Sequence, residues 1–143
     1  MIIDCHGHYT TSPKALDEWR DRQLAGLADP NRKPYSSAPK ISDDELRQTI
    51  ESGQLKKLQA RGSDLTLFSP RAAGMAHHVG NQTTSEDWAR VCNDLIYRVT
   101  QLFPKYFVGV AQLPQSPGGD PKDCVPELVR TVEELGFVGV NLN

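Results

Sequence analysis

The chain has 143 residues, with 16 basic and 18 acidic side chains and a formal net charge of −2. That near balance gives no electrostatic footing for nucleic acid or an anionic membrane, and both partners are excluded. Three cysteines, Cys5, Cys92 and Cys124, are an odd number without a Cys-x-x-Cys pair, which argues against a disulfide framework and a four-cysteine zinc site. Apolar runs stay far below the roughly 20 residues needed to cross a bilayer, and no signal-type segment opens the chain, so a cytoplasmic protein is expected.

Ile2-Ile3-Asp4-Cys5-His6-Gly7-His8-Tyr9 opens the chain. Ile2 and Ile3 read as a short buried strand that ends at the two histidines. Residues i and i+2 of a strand point to one face, so His6 and His8 converge while Cys5 points away and packs in the core. Gly7 permits close approach of backbone or ligand. Two imidazoles with a common aim are the start of a metal site, most often for zinc; the plainer reading is an exposed or hydrogen-bonded pair.

Ser12-Pro13 is a helix start, a hydroxyl cap followed by proline, and Leu16, Trp19, Gln23, Leu24 and Leu27 carry a helix over 13–28. Pro30, Pro34 and Pro39 mark a loop over 29–40. Ser42-Asp43-Asp44-Glu45 is a capping box for a second helix that Gly62 ends. The β-prone run 64–68 is a second strand, followed by a loop that holds Arg71, His77 and His78. Trp88, Val91, Cys92, Leu95, Ile96, Val99, Leu102 and Phe103 mark the clearest amphipathic helix, which Pro104 terminates. The nearly continuous apolar run 107–113 predicts a third strand buried on both faces. A helix beginning shortly before Pro126 and stopping at Gly136 follows, then a fourth strand over 137–143.

Strands alternating with helices give a parallel sheet with right-handed crossovers. A chain that stops on a buried-type strand reads as cut short. The fold class expected is α/β, the N-terminal half of a (β/α)8 TIM barrel, with 1–143 forming a single partial domain.

His6-Gly7-His8 at the end of a first strand, heading a strand-helix series, resembles the amidohydrolase superfamily of metal-dependent barrels. Phe68-Ser69-Pro70-Arg71-Ala72, Ala76-His77-His78, Leu113-Pro114-Gln115-Ser116-Pro117-Gly118 and Asn141-Leu142-Asn143 extend the likeness along the whole chain, toward hydratases of that superfamily. The resemblance implies a zinc-dependent lyase of aromatic-compound breakdown that adds water to an unsaturated polycarboxylate. Hydrolysis or non-oxidative decarboxylation on the same histidines, or an inactive truncated piece of such an enzyme, are the alternatives.

On this reading His6 and His8 are two metal ligands. Arg71, directly after the second strand, grips a substrate carboxylate with its planar fork, unless it is a solvated loop arginine. Ser69 either donates to a substrate carboxylate or caps the turn before Pro70. His77 is the favoured acid-base group and His78 a substrate contact, against an exposed polar pair. Asn141 and Asn143 share a face at the end of the fourth strand and are candidate hydrogen-bond partners for substrate. The partner expected is a small-molecule polycarboxylate, and a homo-oligomer is the expected assembly.

Overall fold

A computed structural model describes residues 1–9, 11–27, 38–70 and 79–142. Strand β1 (Ile3–His8) leads through helix α1 (Lys14–Gly26) to α2 (Asp43–Ile50), a single π-helical turn (Glu51–Leu55) and α3 (Lys56–Ala60). Strand β2 (Leu65–Ser69), helix α4 (Gln82–Leu102) and strand β3 (Phe107–Gln112) follow. A short 3-10 turn (Pro121–Cys124) runs into α5 (Val125–Glu133) and then β4 (Gly139–Asn141). The strands lie in the order β1-β2-β3-β4, every neighbouring pair parallel, and form a half-barrel.

Parallel pairing puts the C-terminal ends of all four strands on one rim. His8 lies opposite Ser69 there, and Gln112 opposite Asn141. Helices cover the other side of the sheet. Leu46 and Ile50 of α2 and Ile96 and Val99 of α4 are wholly buried against Phe68, Phe107 and Ala111 of the sheet. Each such side chain contributes roughly 1.5–3 kcal/mol relative to exposure. Trp19 of α1 stacks on Trp88 of α4 with ring centroids 5.8 Å apart. Both tryptophans belong to the core, as their helical spacing predicts.

Local chemistry explains the helix boundaries. The Ser42 hydroxyl accepts the Glu45 N–H at 3.1 Å and opens α2, while Asn81 accepts the Thr84 N–H and opens α4. Pro126 sits in the first turn of α5, where its missing N–H costs nothing. Gly62 and Gly136, both at positive φ, follow α3 and α5 and turn the chain back toward the sheet.

Four expectations are corrected. Ile2 and Ile3 are 58% and 49% exposed, because β1 is an edge strand and its apolar run is covered by β2 on one side only. Strand β3 is not buried on both faces. Phe107, Gly109 and Ala111 are buried, whereas Val108 and Val110 on the face away from the helices are only partly covered. The second helix is interrupted at Gly53, within the π-helical turn. Helix α1 is capped by neither residue as expected: Pro13 takes the cap position, and the Ser12 hydroxyl donates to the Asp17 carboxylate at 2.9 Å instead.

Candidate metal centre

The two histidines converge. Their Nε2 atoms lie 2.9 Å apart, with ring centroids 4.4 Å apart and ring planes at 88°. Simple alternation is not the whole cause. Between Asp4 and Gly7 strand β1 carries one more residue than β2 opposite it, a bulge that restarts the pairing at Gly7 and His8. The Asp4 carboxylate accepts the His6 N–H at 3.1 Å across this bulge. Because alternation breaks at the bulge, Cys5 is exposed, and the core position expected for it is corrected.

Gly7 is needed for a specific reason. A Cβ at this position would come within 2.1 Å of Thr66 Cγ2 and 3.3 Å of the Leu67 carbonyl oxygen. Thr66 is itself buried to 1% exposure, so it has little room to yield. The glycine lets β1 lie close enough to β2 to put His8 beside Ser69.

His8 is held from behind. Its Nδ1 lies 2.7 Å from Ser69 Oγ and 3.1 Å from the Pro70 carbonyl oxygen. A carbonyl only accepts, so Nδ1 carries the proton, and the Nε2 lone pair is left facing the spot that His6 also faces. The Ser69 hydroxyl in turn donates to the Gly7 carbonyl at 3.2 Å. A ring nitrogen donating to protein oxygen while the other keeps its lone pair is the arrangement that metal-binding histidines adopt; here that lone pair lies within hydrogen-bond reach of His6 Nε2.

Tyr9, next in sequence, is an anchor. Its phenol donates to Thr49 Oγ1, whose own proton goes to the Leu46 carbonyl, and this ties the end of β1 to α2. Burial pushes the Tyr9 hydroxyl up to about 12, so it is neutral at physiological pH.

The donor set fits a divalent cation. Two nitrogens bound at about 2.0–2.1 Å to one ion lie about 2.9–3.4 Å apart for ligand angles between roughly 90° and 110°; the separation here is 2.9 Å. Among the described residues no third His, Cys, Asp or Glu joins them. Two imidazoles supply part of a coordination sphere.

Of the other residues singled out from sequence, Ser69 is 3% exposed and its hydroxyl is engaged by His8 and Gly7. Asn141 sits half-buried on the same rim as His8, opposite Gln112. Arg71, His77, His78 and Asn143 lie outside the described residues. Sequence reasoning missed the Pro70 carbonyl and Thr66. A backbone carbonyl leaves no trace in side-chain identity, and Thr66 is marked only by the glycine it faces across the sheet.

The amidohydrolase family model matches residues 3–143. The chain is 56% identical over 144 aligned positions to the 2-keto-4-carboxy-3-hexenedioate hydratase of Sphingobium sp. (strain NBRC 103272 / SYK-6), covering all of this chain and 41% of that protein. It superposes on the crystal structure of 4-oxalomesaconate hydratase from Rhodopseudomonas palustris with a TM-score of 0.90 and 60% identity, covering 100% of this chain and 41% of that one. At fold level it matches a dihydroxybenzoic acid decarboxylase from Polaromonas sp. JS666 crystallised with bound manganese and an inhibitor, with a TM-score of 0.64, 24% identity and coverage of 99% and 38%. The chain thus spans about two fifths of the length of the hydratases it matches.

Proposed function

The chain belongs to the amidohydrolase family, and from that premise we propose that its protein is a metal-dependent hydro-lyase that hydrates 4-oxalomesaconate to 4-carboxy-4-hydroxy-2-oxoadipate in protocatechuate 4,5-cleavage. The observation that carries the reading is the 56% and 60% identity to two hydratases over the entire chain. The family neighbour with bound manganese supports a divalent metal as cofactor, and zinc is the ion that paired imidazoles most often hold.

His6 and His8 would hold that ion through their Nε2 atoms. When bound, it supplies Lewis acidity and makes a nucleophilic water available near neutral pH. Ser69 and the Pro70 carbonyl keep the His8 proton on Nδ1, which leaves Nε2 for the ion. The bulge and Gly7 bring both rings to one point on the rim where the strands end.

A substrate with three carboxylates needs fixed cations. Arg71, which follows Pro70 in the chain, is assigned as a bidentate carboxylate clamp, with Asn141, Asn143 and His78 as hydrogen-bonding contacts. His77 is assigned to proton transfer. Such transfer by a positioned side chain contributes typically 10²–10⁴-fold to rate.

The test is a hydration assay on the full chain loaded with zinc, following loss of the unsaturated substrate and the mass of the product. Gain of one water supports the hydratase reading. Release of carbon dioxide without added water replaces it with a decarboxylase. In the same assay Arg71→Ala should raise KM at least tenfold with metal content unchanged, and unchanged kinetics removes Arg71 from the site.

A further inference from the structure

Ser69 is the side chain in this region whose contacts differ from the part its type and position first implied. At the C-terminal end of β2, with a carboxylate-binding arginine assigned two residues on, a serine reads as a substrate contact. The residue is 3% exposed and its hydroxyl has a complete set of partners within the protein. It is 2.7 Å from His8 Nδ1, 3.2 Å from the Gly7 carbonyl oxygen and 3.4 Å from its neighbour's, Pro70.

A serine hydroxyl has one proton and two acceptor lone pairs. With the proton directed to the Gly7 carbonyl, a lone pair faces His8 Nδ1, which must then donate. The Pro70 carbonyl at 3.1 Å imposes the same requirement on Nδ1 from another direction. The opposite arrangement would set the Nδ1 lone pair against carbonyl oxygen and take the serine proton from Gly7. One tautomer satisfies every group, and it leaves Nε2 of His8 unprotonated, 2.9 Å from Nε2 of His6. The shorter of the two Nδ1 contacts is the one to Ser69, so the hydroxyl also does more than the carbonyl to set the angle of the ring.

We propose that Ser69 is a positioning residue for His8: beside the Pro70 carbonyl, which requires the Nδ1–H tautomer, it accepts from Nδ1 and sets the aim of the ring, and it touches neither the metal nor the substrate. The proposal rests on the metal-dependent reading above for its consequence, but not for its geometry. Partners of this kind behind a ligating histidine typically contribute 10–100-fold to metal affinity.

The experiment compares wild type, Ser69→Ala and Ser69→Cys in the full chain. The cysteine variant keeps most of the volume and weakens the hydrogen bond, so it serves where the alanine variant folds poorly. Zinc dissociation constants are measured by competition with a chromogenic chelator, and the His8 tautomer of the metal-free protein is read from imidazole ¹⁵N shifts. Wild type should show a single Nδ1–H form. The alanine variant should keep Nδ1–H through the Pro70 carbonyl but show a displaced Nδ1 shift, its shorter hydrogen bond being lost, and bind zinc about 10–100-fold more weakly, with the cysteine variant between them. The proposal is overturned if the Nδ1 shift of the variants equals that of wild type, if their zinc constants stay within threefold of wild type, or if KM rises at full metal occupancy with affinity for zinc unchanged. Failure of wild type itself to bind zinc overturns the metal-dependent reading instead, while the Nδ1 shift still decides the role of Ser69.

Discussion

Gly7→Ala is the substitution whose cost can be worked most directly from the structure. The new methyl carbon would lie 2.1 Å from Thr66 Cγ2, against an ordinary contact of 3.4–4 Å, so something must move by more than an ångström. Rotation of Thr66 offers little relief, because that side chain is 1% exposed, and β1 must therefore lift from β2. Overpacking of this kind costs about 1–3 kcal/mol. The lift also strains the pairing of His8 with Ser69 and parts the two Nε2 atoms, so zinc affinity should fall along with stability. Urea unfolding followed by tryptophan fluorescence is the assay, since Trp19 and Trp88 are stacked in the core and report its loss. Thr66→Ser removes the methyl that the new Cβ would meet. In the double variant the two costs should therefore be sub-additive, with a coupling of about 1 kcal/mol or more. A Gly7→Ala variant within about 0.5 kcal/mol of wild type, or a strictly additive pair, would falsify the close-approach explanation of the glycine.

Two further outcomes follow from buried polar groups. The Tyr9 hydroxyl is pushed by burial from its usual 10 up to about 12 in the folded protein, so the unfolded chain gives up this proton first. Its contribution is whole below pH 10 and is lost as pH rises from 10 to about 12, by up to about 2–3 kcal/mol; Tyr9→Phe should flatten that alkaline limb in urea titrations, and an unchanged limb counts against the buried neutral phenol. Asn93, wholly buried, accepts the Gln112 N–H at 2.9 Å and donates to the Gln112 carbonyl and to Glu127, both at 2.8 Å. Asn93→Ala removes three hydrogen bonds from a buried site, although Glu127 keeps its pairing with Arg130, and should cost about 1–3 kcal/mol in chemical denaturation, where a loss below about 0.5 kcal/mol would show that water replaces the amide.

What could be read from the residues and what could not divide along physical lines. Patterns that depend on neighbours in sequence were legible: the capping serine at Ser42, the apolar stripe of α4 from Trp88 to Val99, the proline in the first turn of α5, and the order of strands that makes a parallel half-barrel. The common aim of His6 and His8 was legible as well, although the bulge before Gly7 contributes to it and has no signature in side-chain type. Burial depends on what lies across the sheet, which periodicity does not reveal. Ile2, Ile3 and Cys5 are apolar or core-type residues on an edge strand and are exposed. For Ser69 the strand-end position left open a substrate contact or a cap for the turn before Pro70, and the distances to His8 and Gly7 show where its hydroxyl is engaged.

The most direct test of the metal centre is the zinc content and affinity of the full chain carrying His6→Ala and His8→Ala together. Loss of tight zinc binding, with the urea midpoint of the metal-free protein little changed, is the expected result, since the rings of His6 and His8 lie at the exposed rim rather than in the core. Retention of one equivalent of tightly held zinc by the double variant would contradict the assignment of these two histidines as ligands.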